Sequence, residues 1–224
     1  METISLQQSL ETFVLDKGAC LCSGCDLGYA PLPQLPSLHY AFSFAVKLSN
    51  AIVKTVDGAP SFAYFQHYRT ANTLLDSIAF QLTAKLETLG YQAYPVAASQ
   101  SLGKQHPYEG ILPHKTAAVL SGIGFVGKSG LLLTERYGSK IRLCTVVTDL
   151  PLTPARPVIE NGCGECQLCM RACPAGAIYG ELPKTNGERN FDAEKCSRYM
   201  KEHFQDVGRG SVCGICMSVC PKNR

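Results

Sequence analysis

Cysteines dominate the chemistry that this sequence can support. Eight of the twelve lie between Cys163 and Cys220, and they form two runs of four. The upstream run, Cys163, Cys166, Cys169 and Cys173, has the spacing C-x2-C-x2-C-x3-C-P. The downstream run, Cys196, Cys213, Cys216 and Cys220, repeats the C-x2-C-x3-C-P ending and takes its remaining cysteine from a distance. This spacing is typical of 4Fe-4S ligation, so the sequence predicts two 4Fe-4S clusters that transfer electrons.

The fourth cysteine of each run is expected to ligate the opposite cluster. In this motif three cysteines surround one cubane, and the fourth, which follows a short helix, reaches the other. Cluster one is therefore expected to take Cys163, Cys166, Cys169 and Cys220, and cluster two Cys196, Cys213, Cys216 and Cys173. Gly210 stands where a symmetric repeat would have a cysteine, so Cys196, 14 residues further upstream, must replace it. Cys196 is thus the ligand that the spacing defines least.

Zinc ribbons and disulfides also use paired C-x2-C units. Neither accounts for two cysteine-proline endings, and disulfides need an oxidising compartment, for which the sequence shows no export signal. No apolar stretch is long enough to span a bilayer. The composition, 46% hydrophobic and 17% charged with a net charge of +3, indicates a globular protein and gives no argument for nucleic acid or a membrane. We therefore expect a cytoplasmic protein.

The elements that must position the cysteines alternate between strands and helices. The length of 224 residues predicts a core domain over residues 1–155 and a cluster domain over 156–224. Leucine periodicity predicts a long helix over 62–89, and apolar runs predict a strand pair formed by 131–134 and 141–148. The expected fold is α+β, with a mixed sheet flanked by helices, followed by a ferredoxin-like domain with two 4Fe-4S clusters.

A glycine-rich segment, Gly122 to Ser129, matches two nucleotide-binding patterns, G-x-G-x-x-G and G-x4-G-K-S. Both patterns require a strand before the glycines and a helix after them. Here a predicted helix over 115–120 precedes the segment, and strand-like leucines at 131–133 follow it. Nucleotide binding is therefore the less favoured interpretation. The glycines still indicate a tight turn or a close approach to a flat, bulky group.

The stretch from Ala117 to Leu152, with its Gly-Ile-Gly-Phe-Val-Gly-Lys-Ser-Gly segment and its Thr-Asp-Leu-Pro-Leu end, resembles the epoxyqueuosine reductases, which are similar to the reductive dehalogenases. The cysteine runs agree with this resemblance. It implies a nitroreductase-like core that binds base-off cobalamin, with the glycine segment and the following strand beside the corrin. The cofactor contacts that it implies are Gly122, Gly124, Phe125, Gly127, Lys128, Ser129, Thr145, Val146, Val147 and Thr148.

Three features depart from this family. Its enzymes that act on tRNA continue into a helical repeat domain, whereas this sequence ends four residues after Cys220, so tRNA is not an expected partner. The family's catalytic aspartate should fall within residues 95–100, which contain no acid. The export signal typical of respiratory dehalogenases is also absent. The resemblance therefore implies an unidentified small-molecule substrate.

Candidate replacements for the missing proton donor lie on the long helix and in the loop after residue 100. They are Tyr64, His67, Tyr68, Arg69, His106 and Tyr108. Tyr64, His67 and Tyr68 share one helix face, where a phenol and an imidazole could protonate a substrate and Arg69 could hold an anion. We take His67, Tyr68 and Arg69 as candidate catalytic residues. The alternative is an aromatic stripe packed in the core.

These observations favour a cobalamin-dependent iron–sulfur oxidoreductase. Electrons would come from an external low-potential donor, a flavodoxin or a ferredoxin, and pass through two clusters to cobalamin. The alternative is a non-catalytic electron carrier or a cobalamin-reducing protein, which the missing aspartate favours. Cys20, Cys22 and Cys25 could bind a metal, but half-buried free thiols on a strand are the favoured interpretation.

Overall fold

The computed structural model describes residues 2–103, 105, 107–159, 162–184 and 189–223. The chain forms two compact units: unit 1 comprises Met1–Lys47, Ala71–Gly124 and Arg142–Ile159, and unit 2 comprises Leu48–Thr70, Phe125–Ile141 and Glu160–Arg224. The chain passes from unit 1 to unit 2 for the last time after Ile159. This point is close to residue 155, where the sequence predicts a domain boundary, and that boundary stays a prediction. Over the described ranges, no helix combines the length and the apolar character that a bilayer crossing requires.

Helices and strands are interspersed up to residue 148, and the described elements after it are all helices. In chain order they are α1 (Glu2–Asp16), β1 (Leu21–Asp26), β2 (Tyr40–Lys47), α2 (Asn50–Val53), α3 (Phe62–Thr88), β3 (Ala93–Val96), α4 (His114–Leu120), β4 (Phe125–Val126), β5 (Leu132–Leu133), β6 (Ile141–Thr148), α5 (Leu168–Ala172), α6 (Ala193–His203) and α7 (Ile215–Ser218).

A four-stranded sheet with the order β1-β2-β6-β3 forms the centre of unit 1. Strand β1 pairs antiparallel with β2, and β3 pairs antiparallel with β6. Both of these pairings are antiparallel, whereas the sequence predicts a mixed sheet. Phe42 and Phe44 of β2 are fully buried, so this strand contributes large side chains to the core.

The long helix α3 confirms the prediction made from leucine periodicity. Leu75, Ile78, Leu82 and Leu86 follow the helical repeat and are fully buried in unit 1. Gly90 ends the helix with a φ of 88°, and the N–H of Tyr91 donates to the carbonyl of Leu86 at 3.1 Å. This is a glycine-terminated C-cap of the kind that the sequence predicts.

A small hairpin of β4 and β5 belongs to unit 2. Phe125 pairs with Leu133 and Val126 with Leu132. The predicted pairing of 131–134 with 141–148 is therefore wrong. The chain folds back earlier, because the N–H of Gly127 donates to the carbonyl of Leu131 at 2.9 Å, and Gly130 adopts a φ of 71° in the turn.

Candidate functional site

The two C-x2-C-x3-C-P segments form similar loops in unit 2. In the upstream run, the N–H of Cys166 donates to the carbonyl of Cys163 at 3.1 Å, and α5 then leads to Cys173. In the downstream run, α7 carries Cys216 and leads to Cys220, whose N–H donates to the carbonyl of Met217 at 3.1 Å. A short helix thus precedes each cysteine-proline pair, as the motif predicts.

The thiols of the predicted cluster-one set lie within electrostatic reach of one another. Burial raises the pKa of the Cys169 thiol, and the charges of Cys163, Cys220 and Cys166 raise it further. Burial also raises the pKa of Cys220, with additional contributions from Cys163 and Cys166. The Cys220 thiol of the downstream run is thus close enough to Cys163, Cys166 and Cys169 for their charges to act on one another, which agrees with the predicted set.

The predicted cluster-two set is grouped in the same way. Burial raises the pKa of Cys196 to about 11, and the charges of Cys213 and Cys173 raise it further. Burial raises the pKa of Cys216 well above its usual range, and the charges of Cys213, Cys196 and Cys173, and of Cys169 from the other predicted set, raise it further. Cys196 lies on α6, which begins where the Asp192 carboxylate accepts the N–H of Lys195 at 2.9 Å. A distant helix thus supplies the thiol that the loop lacks.

The chemistry of these donor sets suits iron–sulfur cubanes better than single metal ions. Four half-buried thiolates repel one another unless a positively charged metal group compensates them. Zn²⁺, with Zn–S bonds of about 2.3 Å, would draw its thiolates to within about 4 Å of each other. Within the described residues, no three His, Cys, Asp or Glu side chains are close enough to hold one ion. A cubane is larger and spreads its ligands. Ligation by the eight cysteines stays a prediction.

The first glycine of the nucleotide-like segment caps a helix. Gly122 has a φ of 72°, its N–H donates to the carbonyl of Val119, and the N–H of Ile123 donates to the carbonyl of Ala118, each at 3.0 Å. This is the Schellman arrangement that ends α4. A side chain here would collide with the carbonyl of Arg156. Since a helix precedes the glycines and a hairpin follows them, the order is the reverse of a phosphate-binding loop.

The second half of the glycine segment contacts the first cysteine loop. A Cβ on Gly127 would overlap Leu133 and lie 3.1 Å from the Cys163 sulfur. The Nζ of Lys128 donates to the carbonyl of Gly164 at 2.7 Å. Sequence reasoning assigned these residues to a corrin and missed this contact. The close approach that the glycines predict is thus made, at least in part, to the protein's own cysteine loop.

The strand predicted to line the cofactor is covered by protein. Residues 145–148 have no exposed surface. The Thr145 hydroxyl lies 2.9 Å from Nδ1 of His114, and the Thr148 hydroxyl donates to the carbonyl of Gln92 at 2.8 Å. A residue without exposed surface offers none to a ligand, so this burial gives no support to a cofactor contact at β6.

His114, which the sequence reasoning missed, holds the segment after β3. Its Nε2 donates to the carbonyl of Ala97 at 2.9 Å, so Nδ1 accepts the Thr145 hydroxyl. Burial lowers the His114 pKa to about 4, and the ring is neutral at pH 7. The adjacent N–H of Ala98 donates to the Asp76 carboxylate at 2.8 Å. Helix α3 thus brings an acid to the segment that contains none of its own.

Tyr64 packs against the second cysteine loop. Its side chain is 2% exposed, and a Cβ on Gly214 would come within 2.6 Å of its ring. Its hydroxyl lies 3.8 Å from the sulfur of Met217. Tyr64 therefore belongs to the packing around Cys213 and Cys216, as the core-stripe alternative predicts.

The three candidate catalytic residues follow Tyr64 on α3. Nε2 of His67 accepts the N–H of Ser49 at 2.9 Å, so the proton of the neutral ring lies on Nδ1. Tyr68 is half-buried, and the Arg69 guanidinium lies 5.7 Å from the ring centroid of Phe65. Their catalytic role stays a prediction. The loop candidate His106 lies outside the described residues.

The third cysteine group has the environment of packed thiols. Cys25 is buried, its thiol donates to the carbonyl of Ala117 at 3.5 Å, and burial raises its pKa to about 12. Burial, followed by the charge of Glu11, raises the pKa of Cys22. Neither shift has a contribution from another cysteine, whereas other cysteines add to the burial-driven pKa shifts of Cys169, Cys196, Cys213, Cys216 and Cys220 in unit 2.

Comparisons with known proteins agree with these observations. Residues 162–223 match the family described as a 4Fe-4S double cluster binding domain. An epoxyqueuosine reductase of Lactococcus garvieae is 36% identical over 118 residues, which cover 51% of this chain and 33% of the relative. A tetrachloroethene reductive dehalogenase of Desulfitobacterium hafniense is 31% identical over 159 residues, covering 66% and 27%. The chain thus spans about a third or less of the length of these relatives.

Solved structures share the fold. A reductive dehalogenase, whose structure suggests a mechanism for B12-dependent dehalogenation, has a TM-score of 0.77 over 97% of this chain and 31% of its own, at 24% identity. The epoxyqueuosine reductase of Bacillus subtilis has a TM-score of 0.66 over 99% of this chain and 66% of its own, at 19% identity. At these identities the likeness concerns the fold alone.

Proposed function

We propose that this chain, a homologue of the epoxyqueuosine reductases and reductive dehalogenases, is an iron–sulfur oxidoreductase that passes electrons through two 4Fe-4S clusters to cobalamin. The observation that carries the proposal is the match of residues 162–223, which contain all eight cysteines, to a double-cluster domain, and the electrostatic influence of these thiols on one another supports it. Each cluster accepts and releases one electron at a time. An external low-potential donor, a flavodoxin or a ferredoxin, would supply the electrons.

On the electron path, the protein would ligate the two clusters and shield them from solvent. Cys169 and Cys216 lie near the junction of the two sets, since the charge of Cys169 also raises the pKa of Cys216. This adjacency supports transfer from one cluster to the other. Tyr64 and Met217 cover the second loop, and the burial of ligands and their surroundings sets cluster potentials.

The predicted cobalamin contacts suit the cofactor only in part. Phe125 and Ser129 of the hairpin keep some exposed surface. At Gly122 and Gly127, other protein atoms already occupy the space where a Cβ would stand, and residues 145–148 of β6 are fully buried. The proposal is therefore limited to Phe125 and Ser129. Reduced cobalamin would supply a strongly nucleophilic cobalt centre for the reduction of an unidentified small molecule. His67, Tyr68 and Arg69 are the proposed proton donor and anion site.

A second candidate function is electron transfer without catalysis. It is favoured by the full burial of residues 145–148 and by the backbone hydrogen bond that occupies Nε2 of His67. In this case the chain would carry electrons to a partner or reduce cobalamin for another protein. The two functions share the clusters and differ in the stable retention of a corrinoid.

One experiment separates these possibilities. The chain is purified without oxygen, reconstituted with iron and sulfide, mixed with cobalamin and desalted. We expect about eight irons per chain and a base-off corrinoid spectrum that weakens in Phe125→Ala but not in Phe80→Ala, a control on an exposed ring of α3. Eight irons without retained cobalamin would exclude the first function and support electron transfer without catalysis. Fewer than about eight irons would contradict both functions.

A further inference from the structure

The hairpin places a cation on the loop that carries the first cluster ligands. Nζ of Lys128 donates to the carbonyl of Gly164 at 2.7 Å. Gly164 lies between Cys163 and Cys166, whose own hydrogen bond of 3.1 Å closes the turn. The neighbouring Glu165 is exposed and Lys128 is half-buried, and solvent reaches the exposed contact between Lys128 and Gly164 and partly screens both charges.

The backbone that carries Lys128 is held in place. Asn190, which is 9% exposed, donates from Nδ2 to the carbonyl of Gly127 at 3.0 Å and to that of Glu181 at 2.8 Å. The N–H of Gly130 donates to the same Gly127 carbonyl at 2.9 Å. The turn therefore fixes the starting point of the lysine side chain, and the ammonium group stays on the cysteine loop.

The second ligand set has a different charge environment. Lys195 precedes Cys196, but its Nζ lies 3.7 Å from the Asp192 carboxylate, which offsets its charge. Asp192 also acts directly on Cys196 and disfavours further negative charge there. At the first set, Lys128 thus donates to the cysteine loop and the Nζ of Lys222 lies 3.5 Å from where a Cβ on Gly162 would stand, whereas Lys195 at the second set is paired with Asp192.

We propose that Lys128 is a positioning residue that raises the reduction potential of the cluster held by Cys163, Cys166, Cys169 and Cys220, so that this cluster is reduced first. The inference rests on the proposed function, since it requires both clusters. Reduction adds one electron from the external donor to an already anionic cluster. A nearby positive charge lowers the energy of the reduced form more than that of the oxidised form.

The test is a redox titration with dithionite, without cobalamin, monitored by electron paramagnetic resonance. In Lys128→Gln we expect the transition at the higher potential to move to lower potential by about 59 mV, which corresponds to an approximately tenfold weaker reduction, and a shift of the other transition would contradict the proposed order. Lys128→Arg keeps the charge and should leave both transitions unchanged. Lys54→Gln removes an exposed lysine of unit 2 at the end of α2 and should also change neither.

The outcomes separate this inference from the proposed function. Two transitions that stay unchanged in Lys128→Gln would overturn the inference and leave the two-cluster function intact. An equal shift in Lys128→Arg or Lys54→Gln would also overturn it, because the local charge would not be the cause. If Lys128→Gln loses one cluster, Lys128→Arg must still show the parent potentials, and a shifted transition there refutes the role of charge. A parent protein with fewer than two transitions would contradict the proposed function itself.

Discussion

Replacing Cys196 by serine is expected to remove one 4Fe-4S cluster and leave the other. The thiol lies on α6, and its electrostatic neighbours are Cys213 and Cys173. If the eight thiols hold two clusters of four ligands each, as the sequence predicts, the iron content should fall from about eight to about four per chain. Serine preserves the volume and helix position of the side chain, so loss of iron would reflect the lost thiolate rather than unfolding of α6.

The assay is iron and acid-labile sulfide per chain after anaerobic reconstitution, together with the resonance spectrum of the reduced protein. The crossed arrangement adds a sharper expectation. Cys173→Ser should lose the same spectral component as Cys196→Ser, and Cys220→Ser should lose the other. Cys144→Ala is the control, since this buried thiol donates to the carbonyl of Val96 at 3.2 Å and should leave about eight irons.

Three results would refute this reasoning. Eight irons in Cys196→Ser together with an unchanged resonance spectrum would exclude this residue as a ligand, because a serine oxygen that replaced the thiolate on iron would alter the spectrum. Loss of both clusters in that variant would contradict two separately held sets. If the spectrum of Cys173→Ser matched that of Cys163→Ser instead, the ligands would be shared within each run, and the grouping read from the structure would be wrong.

Three further predictions concern packing and pH. Gly127→Ala should lower the free energy of unfolding by about 1–3 kcal/mol and reduce iron retention, because the added Cβ would overlap its neighbours. Gly110→Ala has room for a Cβ and should change the free energy of unfolding by less than about 0.5 kcal/mol. Equal urea midpoints for the two variants would contradict this prediction. In urea unfolding, Tyr64→Ala should lower the free energy of unfolding by about 3–5 kcal/mol. Phe62 is 69% exposed, so Phe62→Ala should lower it by less than about 0.5 kcal/mol, and a larger loss in Phe62→Ala than in Tyr64→Ala would refute this prediction. The unfolded chain binds more protons than the folded one between pH 6.5 and pH 4 at His114, so stability should fall by up to about 3 kcal/mol as the pH falls through this window. His114→Gln should flatten that slope in urea titrations at several pH values, and an unchanged slope would assign the acid sensitivity to other groups.

Local signals in the sequence predicted most of what they could reach. The cysteine spacing predicted the double-cluster domain because short turns and helices fix the distances within each loop. The leucine repeat predicted α3 because one face of a helix must be buried, and Gly90 predicted its end. In each case the residues that determine the structure are close in sequence.

Contacts between distant segments were beyond these signals. The bond from Lys128 to Gly164 joins residues 36 positions apart, and its motif suggested a phosphate or a corrin. The pairing of β5 depended on whether Gly127 and Gly130 turned the chain back or let it continue, and apolar periodicity does not distinguish these outcomes. Asp76 could not be connected with the segment after β3, because only the folded chain brings α3 to Ala98.

The composition of unit 2 has a consequence for any attempt to isolate the electron-transfer portion. Phe65 packs where a side chain on Gly208 would stand, Tyr64 does the same at Gly214, and the hairpin tip holds the loop of Cys163. A fragment that begins at residue 156 would lose both aromatic rings and the hairpin, and would expose the apolar surfaces that they cover. The cysteine-rich segment is therefore not a transplantable module. A graft into another protein would have to include all three stretches of sequence that form unit 2. Deletions within residues 48–70 or 125–141 would disrupt the packing around the cysteine loops and would therefore be expected to impair cluster binding, as changes to the cysteines would.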